Sequence, residues 1–119
     1  MRAILPTFAA VACFAMAGCH SALMSATIAN HTAGPVTLVE LDYPSASFGV
    51  QKLAPGEEYH YRFKVIGNGD ASLHWSEGQK RDQKSGGPTL SEGDEGSIKV
   101  SLEPGGPVWK LDLANRTVR

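Results

Sequence analysis

The stretch YRFKVIGNGDASLHW, Tyr61–Trp75, decides the fold. Tyr61, Phe63 and Val65 alternate with Arg62 and Lys64. Beyond Ile66-Gly67-Asn68-Gly69-Asp70, the residues Ala71, Leu73 and Trp75 alternate with Ser72 and His74. A period of two is the signature of a strand with one buried face. Residues directly opposite in an antiparallel pair share a face. The stretch therefore reads as a hairpin, with Val65 opposite Ala71, Phe63 opposite Leu73 and Tyr61 opposite Trp75. Every apolar side chain then lies on one side, and a slip by one residue would set Trp75 against a charge.

The same alternation continues outward in both directions. Toward the C-terminus, Ile98, Val100 and Leu102 alternate with Lys99, Ser101 and Glu103. Pro104-Gly105-Gly106-Pro107 follows, then Trp109, Leu111 and Leu113. A four-residue loop that pairs Leu102 with Trp109 keeps both prolines outside the ladder. Toward the N-terminus, Ala26–Asn30 and Val36–Tyr43 read as strands, the second with Val39, Leu41 and Tyr43 on one face and Glu40 and Asp42 on the other. Ala46–Val50 resumes after Pro44 with Phe48 and Val50 inward, and Pro55-Gly56 marks a tight turn. The hydrophilic stretch Glu77–Gly96 is too long for a structureless loop in a compact domain. Short edge strands are expected in it near Lys80–Lys84 and Thr89–Leu90, their charges guarding against edge-to-edge pairing. Seven or eight short antiparallel strands make this an all-β chain that most resembles an immunoglobulin-like β-sandwich.

The first residues follow a different logic. Met1-Arg2 precedes an apolar run from Ala3 to Ala17, broken only by Pro6 and Thr7. That is the layout of a secretory signal peptide, and it is short for a spanning helix, which needs roughly 20 apolar residues. Met16-Ala17-Gly18-Cys19 resembles the lipobox of bacterial lipoproteins, although that family usually has Leu where this chain has Met16. The resemblance implies cleavage before Cys19 and lipidation of Cys19, with acyl chains such as palmitate. A second cleavage reading lies in the same letters: Ala15-Met16-Ala17 fits the small-x-small pattern cut before Gly18, which would leave Cys19 a free thiol. The organisation expected is a signal peptide over 1–18, a lipidated tether over 19–25 and one β-sandwich over 26–119.

Removing residues 1–18 from the 119 leaves 101 residues, enough for one domain with its own core. Both cysteines, Cys13 and Cys19, lie at or before the cleavage site, so disulfides and thiolate metal sites are excluded from the domain. Loss of Arg2 leaves 10 basic against 12 acidic residues, a net charge of −2. With no basic run longer than Lys80-Arg81, nucleic acid is a poor candidate partner.

Few constellations carry chemistry. The hairpin register sets His74 opposite Arg62 and diagonal to His60, and two histidines on neighbouring strands can bind copper or zinc. Arg62 and Lys64 on the same face would repel a cation, so the histidines are expected as solvated polar-face residues. Glu92-Gly93-Asp94-Glu95 lacks the alternating ligands of a calcium loop and reads as a solvated turn. No nucleophile elbow or phosphate loop is present, and no cofactor is expected. Asn30-His31-Thr32 and Asn115-Arg116-Thr117 match the glycosylation sequon, which has no force in a bacterial lipoprotein. Trp75 and Trp109 alternate with polar residues as core residues do.

The expectation is a non-enzymatic envelope lipoprotein, a binding or structural module held on a membrane by its N-terminal lipid, with an envelope protein or glycan as its unknown partner. His20, where an Asp would favour inner-membrane retention, points to the outer membrane, facing the periplasm, in a Gram-negative cell. The alternative is a small copper or zinc carrier, or an uncharacterised envelope enzyme.

Overall fold

The structure, a computed structural model, describes residues 22–114. They form eight strands: β1 (Met24–Asn30), β2 (Val36–Tyr43), β3 (Ala46–Leu53), β4 (Glu58–Phe63), β5 (Gly69–Glu77), β6 (Lys80–Leu90), β7 (Gly96–Glu103) and β8 (Gly106–Leu113). Two four-stranded sheets, ordered β4-β1-β7-β8 and β3-β2-β5-β6, face each other as a β-sandwich. All neighbouring pairs are antiparallel except β1 with β7. The likeness to immunoglobulin domains lies in this two-layer architecture. The strand order differs, because here the first two strands fall in different sheets.

The hairpin expected from Tyr61 to Trp75 does not form. β4 pairs with β1, setting Phe63 beside Met24 and Tyr61 beside Ala26, while β5 lies in the opposite sheet between β2 and β6. Both strands do turn their apolar faces inward, and Phe63, Ala71, Leu73 and Trp75 all belong to the core. The alternation reports which face is buried. Two such faces are equally satisfied side by side in one sheet or opposed across the core, so the pattern cannot choose between them. Residues 64–68 cross between the sheets, pinned by the fully buried Val65, whose carbonyl accepts from the Gly93 N–H at 3.1 Å. Tyr61 lies at the margin, 42% exposed, because β4 is an edge strand.

The last hairpin forms with its register moved by two residues. Val100 pairs with Trp109 and Ile98 with Leu111, and Glu103 opposite Gly106 closes the two-residue turn Pro104-Gly105. A shift of two preserves every face, and hairpins favour two-residue loops. Pro107 therefore stands inside β8, where an edge strand tolerates its missing N–H. Two further boundaries move. Pairing of β1 begins at Met24, which is fully buried, so Met24 and Ser25 belong to the sheet and not to the tether. The two short strands expected after Glu77 are one strand of eleven residues, β6, with register shifts against β5 between Asp70 and Ser72 and between Trp75 and Glu77.

These registers place the connections at two ends. The start of β1, the turn at Pro44-Ser45, the connections 64–68 and 91–95 and the end of β8 lie together at one end. The connections 31–35, 54–57, 78–79 and 104–105 lie at the other. The far end is closed by Asn30, which has no exposed surface. Its Nδ2 donates to the carbonyls of Gly34 and Leu53, both at 2.9 Å. Its Oδ1 accepts from Thr32 N at 2.9 Å and from Thr32 Oγ1 at 2.6 Å. The sequon that begins at Asn30 is thus a structural plug with every amide hydrogen bond made.

Aromatic rings close the seam between the edge strands β3 and β4. Phe48 stacks on Tyr61 at 4.4 Å between centroids, and Tyr43 meets Phe63 at 4.4 Å. At the opposite seam, between β6 and β8, Trp109 lies over Gly87, where an added Cβ would come within 2.8 Å of the indole ring. Trp109 Nε1 donates to Ser85 Oγ at 3.2 Å.

Candidate functional site

The outer face of the β3-β2-β5-β6 sheet is where local rules are broken. β2 would bury every second residue, yet Val36 and Val39 are both buried and the register against β5 shifts between Thr37 and Glu40. The extra residue of this bulge is Leu38, which has φ 52° and is 61% exposed. A left-handed conformation at a non-glycine residue costs about 1–2 kcal/mol, and such strain clusters at functional sites. Asp82, with φ 54°, is the second non-glycine residue in this conformation among the described residues. It sits in the shifted register of β6 on the same face, its N–H donating to Ser76 Oγ at 3.2 Å.

Shallow depressions flank Leu38. One, of about 380 Å³, lies toward β3 over Ser47, Gly49 and Gln51. Gly49 is required there, since a Cβ would stand 2.1 Å from the Val39 carbonyl oxygen where the bulge presses that backbone outward. The other depression, of about 360 Å³, is bounded by Glu40, Asp42, His74, Ser76 and Asp82. His74 Nε2 lies 3.0 Å from Asp42 Oδ2, and Glu40 is the cross-strand neighbour of His74. Lys84 faces His74 from β6. The result is an apolar knob set among three carboxylates. In chemical terms this can seat a partner offering an apolar socket and cationic groups.

The other residues singled out in the sequence fall elsewhere. His60 lies on β4, its Nδ1 3.1 Å from Thr27 Oγ1 and its Nε2 3.3 Å from Glu58 Oε1. His74 lies on the opposite sheet, so the pairing that made His60 and His74 a candidate metal site is overturned along with the hairpin. Arg62, expected beside His74, faces Ser25. No group of three His, Cys, Asp or Glu residues able to share a metal ion occurs among the described residues. Asp94, expected in a solvated turn, is buried, with Oδ2 accepting from Ser91 N at 2.9 Å. Cys19 lies outside the described residues. Leu38 and Asp82 were not singled out by the sequence reading. A signal for Leu38 was present, because it shares parity with Glu40 and Asp42 on the polar side of β2.

Fold and face together define a small two-sheet β-sandwich that presents a leucine-centred acidic surface. Compared with protein-family models, characterised proteins and solved structures, the chain matches none.

Proposed function

We propose that this chain is an envelope lipoprotein whose β-sandwich is a non-enzymatic binding or structural module on a membrane surface, held there by lipid on Cys19. The observation that carries this reading is Met16-Ala17-Gly18-Cys19 closing an apolar run that follows Arg2. One acyl chain anchors only marginally, and the lipobox resemblance implies two or three on the cysteine. The spacing to the fold supports the reading: Met24 enters β1 five residues after Cys19, a reach of at most about 18 Å. The end that holds the start of β1 then lies next to the bilayer, and the end closed by Asn30 points away. His20 after the cysteine favours the outer membrane, with the domain facing the periplasm. The Leu38 face, running along the side of the sandwich, is the surface offered to an envelope partner.

The experiment is Cys19→Ser in the native host. The wild type is expected in the membrane fraction with a lipid mass on its N-terminal peptide, and the variant is expected to lose both. A mature terminus at Gly18 without lipid would overturn the anchor.

A further inference from the structure

Asparagine is chemically labile where its amide is exposed and its backbone is free. Among the described residues the two asparagines have opposite settings. Asn30 has no exposed surface, precedes His31 and commits its whole amide to the plug. Asn68 is exposed, lies outside the strands at the end of the 64–68 crossing, and precedes Gly69.

Asn68 Oδ1 accepts from the Glu92 N–H at 2.8 Å. Two further bonds clamp the crossing to the 91–95 connection. Gly67 N donates to Glu92 Oε1 at 3.0 Å, and Gly93 N donates to the Val65 carbonyl at 3.1 Å. The side-chain carbonyl of Asn68 therefore has a fixed N–H donor, an arrangement that stabilises the negative charge an oxygen gains when its carbonyl is attacked. The nearest nucleophile along the chain is the backbone nitrogen of Gly69. Glycine sets no Cβ in the way of that approach. Gly69 is also the first residue of β5, and its pair with Leu90 ends that ladder, where local opening costs least.

From this setting we infer that Asn68 is a site of spontaneous covalent modification in the folded protein. Gly69 N gives up its proton and bonds to Asn68 Cγ. The Cγ–Nδ2 bond breaks, and Nδ2 takes up a proton and leaves as ammonia. The five-membered succinimide so formed is open to solvent, and water adds at either of its carbonyls to give aspartate or isoaspartate at position 68. The sum is water consumed and ammonia released, with no oxidant or reductant. Either product adds a carboxylate to a segment that already carries Asp70 and meets Glu92. Isoaspartate also adds a methylene to the backbone between the buried Val65 and the start of β5. The inference depends neither on the lipid anchor nor on the Leu38 face.

The test uses the full chain as the cell makes it, held in mild detergent at neutral pH and growth temperature and sampled over days. Peptide mapping by mass spectrometry is expected to show the Asn68 peptide gaining the mass of an amide-to-acid exchange, with Asn30 intact. Protein isoaspartate methyltransferase is expected to label the same peptide. Gly69→Ala is the control for the attacking nitrogen. An added Cβ there meets only Pro44, at 3.4 Å, and Gly69 has no positive φ, so the variant is expected to fold and to convert several-fold more slowly. Asn68→Gln, which moves the amide a methylene further out, should abolish the conversion. An Asn68 that stays intact in the folded chain while it converts in urea would overturn the inference, because the fold would then protect it. So would an unchanged rate in Gly69→Ala.

Discussion

Replacing Asn30 with alanine tests the far end of the sandwich. The substitution removes four hydrogen bonds, but their loss is unequal. Freed from Asn30 Oδ1, the single Thr32 hydroxyl hydrogen can turn to the Gly34 carbonyl 2.9 Å away, so that both groups keep a partner. Thr32 N and the Leu53 carbonyl lose the side-chain partner that Asn30 supplied, in a region where Thr32 is 7% and Leu53 2% exposed. At about 1–3 kcal/mol for each buried group left unpaired, Asn30→Ala should cost about 2–5 kcal/mol. Asn30→Asp is expected to be no milder, because it sets a carboxylate oxygen against the two carbonyls that Nδ2 now bridges. The assay is urea unfolding of the domain from residue 20 onward. With a slope of about 1–3 kcal/mol/M, the midpoint should fall by about 1 M or more. His31→Ala, beside it but exposed, should change stability by less than about 0.5 kcal/mol beyond its contact with Glu103. An Asn30→Ala midpoint indistinguishable from wild type would refute the plug, and would mean that the 31–35 loop repacks without it.

The remaining predictions concern the bulge and the aromatic seam. Leu38→Gly should stabilise the domain by up to about 1 kcal/mol in thermal unfolding by relieving the left-handed strain, and should reduce capture of envelope partners from native membranes; a loss of stability would show that Leu38 packs and is not a presented knob. Gly49→Ala should destabilise by about 1–3 kcal/mol in the same measurement, because the methyl meets the Val39 carbonyl and the backbone must shift; a neutral result would remove the close approach. The Tyr43 phenol is pushed above its ordinary value of 10.0, first by burial and then by the neighbouring Tyr61. Its pKa is raised in the folded state, so the stability it contributes is complete below about pH 10 and is lost as pH rises through the folded value. Tyrosinate absorbance should show one phenol titrating late, and Tyr43→Phe should abolish that phase.

Much of this architecture was legible from alternation alone. Val39, Leu41, Phe48, Phe63, Leu73, Trp75, Ile98, Val100 and Leu102 are buried as their positions demanded, because side chains in a strand alternate between two faces and only one face meets the core. The breaks between strands were marked by proline and glycine, which restrict or free the backbone locally, but the last loop shortens to Pro104-Gly105 and residues 64–68 cross between sheets where a hairpin turn was expected. The sequence by itself therefore determined an all-β chain of seven or eight strands with known inner faces, in a domain that contains no cysteine. It also contains Met16-Ala17-Gly18-Cys19, the stretch on which the proposed anchor rests. Strand partners were decided only in three dimensions. β4 could bury Phe63 beside β5 or across from it, and pairing with β1 prevailed, where β1 also pairs with β7 and buries Met24, Ala26 and Ile28 on both flanks. That competition is global, because it depends on which arrangement leaves the fewest apolar faces and ladder groups exposed. The Leu38 bulge and the Asn30 plug follow from those pairings. Each is set by neighbours distant in the chain, which a period of two does not name.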